Sequence, residues 1–412
     1  MTTRRALLIL IGLLTAFIAV AGAGVAGLAY WRFALRPADQ SLLVVGGDRS
    51  LTLLDGGAGR TVADDVSPEL FHYPSTAPDG ERIVYISRSA EGTALNALHL
   101  GTGERVELYR SSEHPPLYAT WAPDGRHVSF LSNRRGGGLG VHIVPADGSA
   151  EAALLGTTLG SSYFAWRPDG GALLLHTGGG AGSLGQVATY APGRAAPLST
   201  LDDPGFFQAP AWSQDGRDFF YVAQPAVEGS LTPDRIESVL TRVGADGSAP
   251  RAVAREQGAA ILFSRAPRSD HLAYVTVGPN GFGALKVVNG AGGEPVTLSR
   301  PDEAVPAFFW SPDGEHIAYL TFERGAGGAP QFTWHLVGRA GGEVRDLASF
   351  TPSQAFAAMV GFFDAYAMAL ELWSPDGKLI VYGSDDGVYA LDVATGAPTR
   401  RADGVLGLWV RR

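Results

Sequence analysis

The stretch FFWSPDGEHIAYLT, residues 308–321, decides the fold of this 412-residue chain. Its centre, WSPDG at 310–314, returns unchanged at 373–377. In such a segment proline presets φ at the first corner of a turn, aspartate bonds back to the local backbone, and glycine accepts a positive φ. An apolar segment precedes the turn and an alternating one follows it. The stretch therefore predicts two antiparallel strands joined by a tight turn.

The same pattern occurs in six further copies along the chain. They are STAPDGERIVYIS from residue 75, ATWAPDGRHVSFLS from 119, FAWRPDGGALLLHT from 164, PAWSQDGRDFFYVA from 210, FSRAPRSDHLAYVT from 263 and LWSPDGKLIVYGS from 372. The turn position holds proline, or Gln214 in the fourth copy, at spacings of 45, 45, 46, 53, 45 and 63 residues. Four short strands in about 45 residues are typical of a β-propeller blade.

The two ends of the repeat region complete the count of blades. Apolar strands at 42–45 and 51–54 have no turn motif before them, and 404–409 places Trp409 at the tryptophan position of a repeat. We therefore predict an all-β, eight-bladed β-propeller over residues 42–412, with one blade shared by both ends so that no strand edge stays open. A seven-bladed ring is the alternative, if the copy at 263, in which Arg265 replaces tryptophan, is not a full blade.

The repeat residues themselves are predicted to be structural. A large aromatic ring is most useful buried between neighbouring blades, and a turn aspartate is most useful bonded to its own backbone. The residues in question are Trp121, Trp166, Trp212, Trp310, Trp373 and Trp409, with Asp79, Asp124, Asp169, Asp215, Asp313 and Asp376.

Over residues 42–412 these segments resemble the TolB-type propeller repeats of bacterial exported proteins, and WSPDG carries the resemblance most clearly. The resemblance implies a propeller fold. The family includes accessory proteins of the cell envelope, the propeller halves of prolyl-oligopeptidase-like peptidases and some polysaccharide lyases, so it does not select one function. A predicted membrane anchor, in place of an α/β domain before the propeller, distinguishes this chain from TolB itself.

The run from Ala6 to Tyr30 has 25 residues and no charge, enough to cross a bilayer as a helix. We predict a transmembrane helix at 6–31, a short cytoplasmic tail at 1–5 and a linker at 32–41. The propeller is expected on the extracytoplasmic side of the cell membrane, in a single-pass protein. A cleaved signal peptide and a twin-arginine signal remain alternatives.

The charge balance and missing motifs exclude several classes of function. Residues 1–40 carry four arginines and one aspartate, or +3, so the net charge of −9 leaves −12 on the remainder. Such an acidic propeller argues against nucleic acid as a partner. The chain has no cysteine, no Gly-x-Ser-x-Gly motif and no histidine pair at metal-ligand spacing. We therefore predict no catalytic residues, no metal site and no cofactor.

Antiparallel strands give the disc two unequal faces. The Pro-Asp-Gly turns lie on one, the turn face, while second-to-third-strand loops and blade-to-blade connections lie on the other, the connector face. Two long inserts, Gln224–Glu237 and about Phe350–Leu370, belong to the connector face, and residues 355–363 are a candidate helix at the channel mouth. Long loops on a rigid scaffold usually carry binding, so function is expected there. The candidate ligand or partner residues are His72, His114, Tyr163, Phe206, Phe207, Gln208, Glu303, Phe362, Phe363, Asp364, Tyr366 and Glu371.

Acidic and aromatic groups together suit a protein partner. We predict a membrane-anchored, extracytoplasmic propeller that acts as a protein-binding or scaffold module of the cell envelope. One alternative is a lyase or lactonase-like enzyme whose carboxylates, such as Glu303 and Glu371, converge at the channel mouth. Another is a small-ligand receptor or sensor.

Overall fold

The computed structural model describes residues 40–411, apart from 135–136, 159–161, 178–184, 195, 203–208, 225–236, 259, 326–327 and 364–369. The predicted tail and anchor and most of the linker lie outside the described residues. Within the described ranges no helix is long and apolar enough to cross a membrane. Residues Ser41–Arg412 form one compact unit.

The turns form from local bonds between the residues of the repeat. In each turn that ends in glycine, the glycine amide donates to the carbonyl oxygen three residues earlier, at 2.8–3.0 Å, and φ of the glycine lies between 67° and 74°. Each turn aspartate accepts the amide two residues further on, at 2.8–3.1 Å. These bonds leave only the glycine in the left-handed region, where it costs least.

The strands form eight sheets, which confirms the eight-bladed, all-β propeller and excludes the seven-bladed alternative. We number the seven blades that begin with a turn motif 1 to 7 and the shared one blade 8. Blade 8 combines β1 (Leu42–Val45), β2 (Leu51–Asp55) and β3 (Ala58–Ala63) with the innermost strand β32 (Leu406–Trp409). β32 pairs antiparallel with β1, from Leu42 opposite Trp409 to Val45 opposite Leu406. The ring thus closes through strands about 360 residues apart in sequence.

Blades 1 to 4 are four-stranded and follow the chain outward from the axis. Blade 1 contains β4 (Ser75–Thr76), β5 (Arg82–Ser89), β6 (Gly92–His99) and β7 (Arg105–Ser111). Blade 2 contains β8 (Pro116–Trp121), β9 (His127–Asn133), β10 (Leu139–Pro145) and β11 (Ala153–Thr158). Blade 3 contains β12 (Ser162–Trp166), β13 (Leu173–Thr177), β14 (Gln186–Tyr190) and β15 (Ser199–Asp202). Blade 4 contains β16 (Ala211–Trp212), β17 (Asp218–Ala223), β18 (Glu237–Gly244) and β19 (Arg251–Gln257).

Blades 5 and 7 vary this plan, whereas blade 6 keeps it. Blade 5 contains β20 (Ala260–Arg265), β21 (His271–Gly278), β22 (Gly281–Phe282), β23 (Lys286–Asn289) and β24 (Val296–Thr297). Blade 6 contains β25 (Ala307–Trp310), β26 (His316–Arg324), β27 (Pro330–Gly338) and β28 (Arg345–Phe350). Blade 7 contains β29 (Leu379–Ser384), β30 (Gly387–Asp392) and β31 (Pro398–Ala402), and Trp373 bridges to Ile380 in place of an innermost strand.

One helix among the described residues, α1 (Gln354–Val360), connects blades 6 and 7. The hydroxyl of Ser353 caps it by accepting the amide of Phe356. Such caps stabilise a short helix by satisfying an unpaired amide of its first turn. Phe356, Met359 and Val360 are buried, so the helix packs onto the blades through one face.

Candidate functional site

The tryptophans of the repeat lie between neighbouring blades. In four blades the indole Nε1 donates to the carbonyl oxygen of the residue just before the tryptophan position of the preceding blade. The pairs are Trp121 to Ser75 (3.1 Å), Trp212 to Ala165 (3.0 Å), Trp310 to Ser264 (3.2 Å) and Trp373 to Phe309 (3.2 Å). Trp166 donates instead to the hydroxyl of Ser129, at 2.8 Å. These rings therefore join neighbouring blades, and their indole N–H donors are already used within the protein.

Two blades lack the tryptophan, and their residues at that position are polar. Blade 1 has Thr76 and blade 5 has Arg265. In a ring of eight blades these two stand four apart, on opposite sides of the axis. The degenerate turn of blade 5 still closes, because the amide of Ala266 donates to the carbonyl of His271 at 2.8 Å. The substitution at Arg265 therefore changes the chemistry at the axis without removing the blade.

A cavity of about 460 Å³ lies at the turn-face end of the axis. Its rim contains the turn prolines of blades 3, 5, 6 and 7, and deeper residues include Phe308 and Leu370. Two arginines, Arg265 and Arg411, and one carboxylate, Glu371, are the charged lining groups. Volumes of 300–1,000 Å³ with mostly apolar walls and a few polar groups are typical of small-molecule sites.

The structure places Glu371 at this cavity, which differs from its predicted position among the connector-face residues. Its carboxylate forms an ion pair with Arg411, and its carbonyl oxygen accepts the amide of Trp409 at 2.8 Å. Arg411 stands where other repeats have the turn proline. The pair also lines a second cavity of about 240 Å³ towards blades 1 and 2. The carboxylate raises the pKa of the Arg411 guanidinium.

At the connector face, the segment after α1 reaches across the channel mouth. Phe362 contacts Phe71 of blade 1 edge-to-face, with ring centroids 5.0 Å apart. Its neighbour Phe363 is buried against Phe308 of blade 6, at 4.8 Å. Blades 6 and 1 are three apart in the ring, so these two contacts place residues 362 and 363 over the mouth. Phe362 remains 41% exposed.

A polar cavity of about 300 Å³ lies between blades 1 and 2 on the connector face. His72 is buried beside it, with Nδ1 2.7 Å from the hydroxyl of Ser67, and burial lowers the pKa of His72. Glu69 and Arg88 form an ion pair there. The other predicted histidine, His114, has Nδ1 3.1 Å from the carbonyl oxygen of Asn133. Both imidazoles are thus held by the protein itself.

Glu303 belongs to a network within and beside blade 6. It accepts a hydrogen bond from Tyr319 at 2.7 Å and forms an ion pair with Arg300 at 2.7 Å. Burial raises the pKa of Glu303, but the bonds from Tyr319 and Arg300 outweigh it and the pKa is lowered. Similar tyrosine–carboxylate bonds occur in two other blades: Tyr85 with Asp65 at 3.2 Å and Tyr274 with Glu256 at 2.8 Å. Glu303 is therefore one copy of a repeated structural contact.

Glu303 and Glu371 do not form a carboxylate pair. Glu371 lines the axial cavity beside Arg411, whereas Glu303 is not among the residues that line it. Each has its own arginine partner. Among the described residues, no group of three or more histidine or carboxylate side chains could hold a metal ion.

Six predicted residues remain, of which the structure describes one. Tyr163 lies in β12, half-buried against the main core cluster. Phe206, Phe207, Gln208, Asp364 and Tyr366 lie outside the described residues, as do 225–236 of the first insert. Three cavity residues were not predicted from the sequence: Arg265, Arg411 and Thr76. The sequence does mark them as unusual: Thr76 and Arg265 replace the tryptophan of the repeat, and Arg411 replaces its proline.

Comparison with known proteins supports the fold more than any function. No family model matches the sequence. A segment of 108 residues is 28% identical to the uncharacterized peptidase YuxL of Bacillus subtilis (strain 168) and covers 25% of this chain but only 16% of that protein. The structure is similar to that of the dihydro-heme d1 dehydrogenase NirN, with TM-score 0.56, 14% identity, and coverage of 91% of this chain and 74% of that one.

A putative TolB from Agrobacterium tumefaciens is also similar, with TM-score 0.42 and 16% identity, covering 86% of this chain and 99% of that chain. Identities this low relate folds and not activities. The resemblance to TolB-type repeats implied a propeller, and the eight sheets confirm that fold.

Proposed function

We propose that this chain is a membrane-anchored, extracytoplasmic propeller that binds a protein partner of the cell envelope through its connector face. The observation that carries the proposal is the aromatic contact at the channel mouth. Phe362 packs on Phe71 and yet leaves 41% of its surface exposed. Partly exposed aromatic residues on a rigid base are frequent anchors of protein interfaces.

The base of this anchor is well packed. Phe363 is buried on Phe308, and Phe356 of α1 contacts the rings of Phe350 and Trp334 at 5.7 and 6.3 Å. Phe71 has φ of 72°, a left-handed conformation that is costly for a bulky residue. Such strain often accompanies binding sites, where the surrounding structure enforces it. A preorganised aromatic surface binds with less loss of entropy than a mobile one.

Charge indicates the chemistry of the partner. Residues after position 40 carry a net charge of −12. Association with a basic protein is accelerated by such a field, and association with an acidic one is slowed. The partner is therefore a protein with an apolar contact patch surrounded by lysine or arginine.

The test compares two phenylalanines on the same face. The tagged full chain is captured from detergent-solubilised membranes as wild type, Phe362→Asp and Phe322→Asp, and proteins retained with it are quantified by mass spectrometry. Phe322 is 50% exposed on β26, contacts Phe332 and not Phe71, and is the matched control. We expect one basic partner whose recovery falls at least tenfold with Phe362→Asp and is unchanged with Phe322→Asp. Equal recovery with all three proteins would contradict the proposal.

The anchor is tested separately, because it rests only on the uncharged run at residues 6–30. In bacterial membranes, the full chain is expected to resist carbonate extraction, and added protease is expected to digest the propeller in spheroplasts. Release by carbonate would indicate that the run does not span the membrane. Protease protection would indicate the opposite orientation.

A small-ligand receptor remains a second candidate, because the axial cavity of about 460 Å³ has the volume of a ligand site. The proline rim of this cavity is at the opposite end of the axis from the mouth, and ligand binding there can be tested with small-molecule probes.

A further inference from the structure

Arg265 carries a positive charge that no carboxylate of the described residues neutralises by an ion pair. Its Nη1 donates to the carbonyl oxygens of Ala266 and Ser269, at 2.7 and 2.9 Å. The carboxylate whose charge reaches it, Asp270, is paired with Arg242 at 3.0 Å. Neutral carbonyls orient a guanidinium but do not balance its charge.

Burial makes this arrangement costly, and it lowers the pKa of Arg265. A partly buried cation without a counter-ion is unfavourable, and proteins usually pair it. Arg265 stands where six of the eight blades have tryptophan, a residue that would fill the space without charge. Because Arg265 lines the axial cavity, a counter-ion can reach it from the turn face.

The rest of the cavity sets the size and charge of that counter-ion. Arg411 is already paired with Glu371, so the lining has one positive charge in excess. The other walls are mostly apolar, formed by tryptophan, proline, phenylalanine and leucine side chains together with Ser264. In the adjoining cavity of about 240 Å³, Thr76 is 7% exposed, and its buried hydroxyl has no hydrogen-bond partner among the described residues. A buried hydroxyl without a partner is itself unfavourable and indicates a polar group yet to be supplied.

We propose that the axial cavity binds the carboxylate of a small organic acid, with Arg265 as its counter-ion and the proline and indole rings around its apolar body. A guanidinium matches a carboxylate with two parallel hydrogen bonds. One excess charge suits a monoanion better than a phosphate monoester, which carries about −1.5 to −2 near neutral pH. This site lies at the turn face, so it does not depend on the partner proposed for the connector face.

The first test uses the wild-type full chain in detergent and pairs of probes that differ only in charge. Benzoate and benzamide, cyclohexanecarboxylate and its amide, and 2-naphthoate and its amide are titrated by calorimetry and ligand-observed NMR. We expect at least one acid to bind about tenfold or more tightly than its amide, since bonds to charged groups contribute more than neutral ones. Equal affinity within every pair, or no binding of any acid, would overturn the proposal.

The second test changes the cation. Arg265→Gln is expected to reduce the affinity for the acid to that for its amide, and Arg265→Trp, which restores the residue of the repeat, is expected to abolish binding. Arg265→Trp also keeps the test informative if Arg265→Gln folds poorly, because tryptophan is the residue that other blades accommodate at this position. The control is Arg217→Gln, whose side chain is 85% exposed on the same face. Unchanged affinity in both Arg265 variants would overturn the assignment.

Phe362→Asp separates the two proposals. It is expected to leave carboxylate affinity unchanged while it reduces partner recovery, so failure of one proposal does not count as failure of the other.

Discussion

The indole Nε1 of Trp310 in blade 6 donates a hydrogen bond to the carbonyl oxygen of Ser264 in blade 5, at 3.2 Å. Trp310 is 8% exposed, so little water can replace that bond. Equivalent bonds connect three other pairs of neighbouring blades. Each such tryptophan therefore stabilises the ring in two ways: its apolar surface fills the space between sheets, and its donor sets the alignment of adjacent innermost strands.

Trp310→Phe separates these two contributions. Phenylalanine keeps most of the aromatic surface but cannot donate, so the carbonyl oxygen of Ser264 loses its indole partner. We expect the free energy of unfolding to fall by about 1–3 kcal/mol, as for other buried hydrogen bonds whose partner is removed. Trp310→Ala is expected to cost about 3–5 kcal/mol, because it also leaves a cavity. Urea denaturation followed by circular dichroism measures both.

Trp409 provides the matched control. It is 1% exposed, and its Nε1 has no hydrogen-bond partner among the described residues. Trp409→Phe therefore removes a similar volume and no hydrogen bond, and we expect it to cost less than Trp310→Phe. Equal losses would show that ring volume alone explains the effect.

The blades could be predicted from the sequence because their turns are local. Proline, aspartate and glycine form bonds within about five residues, so the motif determines the turn without help from the rest of the chain. Ring closure was also predictable, since Trp409 occupies the tryptophan position of a repeat and the apolar strands at 42–45 and 51–54 have no turn motif before them. In the structure β32 and β1 pair as that pattern requires.

The axial cavity could not be predicted in the same way. Glu371 meets Arg411 across 40 residues, and no spacing in the sequence indicates that pair. Arg265 was visible as a departure from the repeat, but the sequence alone suggested a degenerate blade. Only the structure of the closed ring shows that Arg265 lines the axial cavity. The connector-face residues 206–208, 364 and 366 lie outside the described ranges, and their role stays a prediction.

His142 is expected to make stability depend on pH below neutrality. It is 7% exposed in blade 2 and stacks on Phe130 at 4.7 Å, and burial lowers its pKa from 6.5 to about 4. Between these two values the unfolded chain binds more protons than the folded one, so the free energy of unfolding falls as pH drops from 6.5 towards 4. His142 alone accounts for about 2 kcal/mol of loss between pH 7 and pH 5.

His142→Gln removes this titration and keeps a donor and acceptor for the hydroxyl of Ser132, which lies 2.9 Å from Nε2. Urea denaturation at pH 7 and pH 5 should show a pH-dependent loss about 2 kcal/mol smaller in the variant than in the wild type. A variant with the full wild-type loss would assign the pH dependence to other groups.

Glu303 and Tyr319 are expected to act as a pair in stability. Tyr319 is fully buried, and its hydroxyl donates to Glu303 at 2.7 Å. Glu303→Ala leaves that hydroxyl without its acceptor and is expected to cost about 1–3 kcal/mol. In the Tyr319→Phe background, Glu303→Ala should destabilise the protein less than it does in the wild type, by at least about 0.5 kcal/mol, because no tyrosine hydroxyl then lacks its acceptor.

A double-mutant cycle in urea measures this coupling, and Asp302→Ala, an exposed neighbour, serves as the control. Coupling between Glu303 and Tyr319, with none between Asp302 and Tyr319, is the expected result. Strictly additive effects would mean that Glu303 does not stabilise blade 6 through Tyr319, and would reopen a ligand-binding role for its carboxylate.

Closure of the ring depends on close backbone approach at Gly383 in β29. A β-carbon built there would overlap the carbonyl oxygen of Val405, which leads into β32. We therefore expect Gly383→Ala to move β32 away from blade 7 and to cost about 1–3 kcal/mol, the usual range for overpacking. The control is Gly156→Ala in β11, where an added β-carbon meets no atom within 4 Å.

Hydrogen exchange should show where Gly383→Ala weakens the structure: the amides of β1 and β32 should lose protection, while those of β9 and β10 keep it. Uniform loss across all blades would show instead that the ring unfolds as one unit and that closure at β32 is no weaker than any other contact.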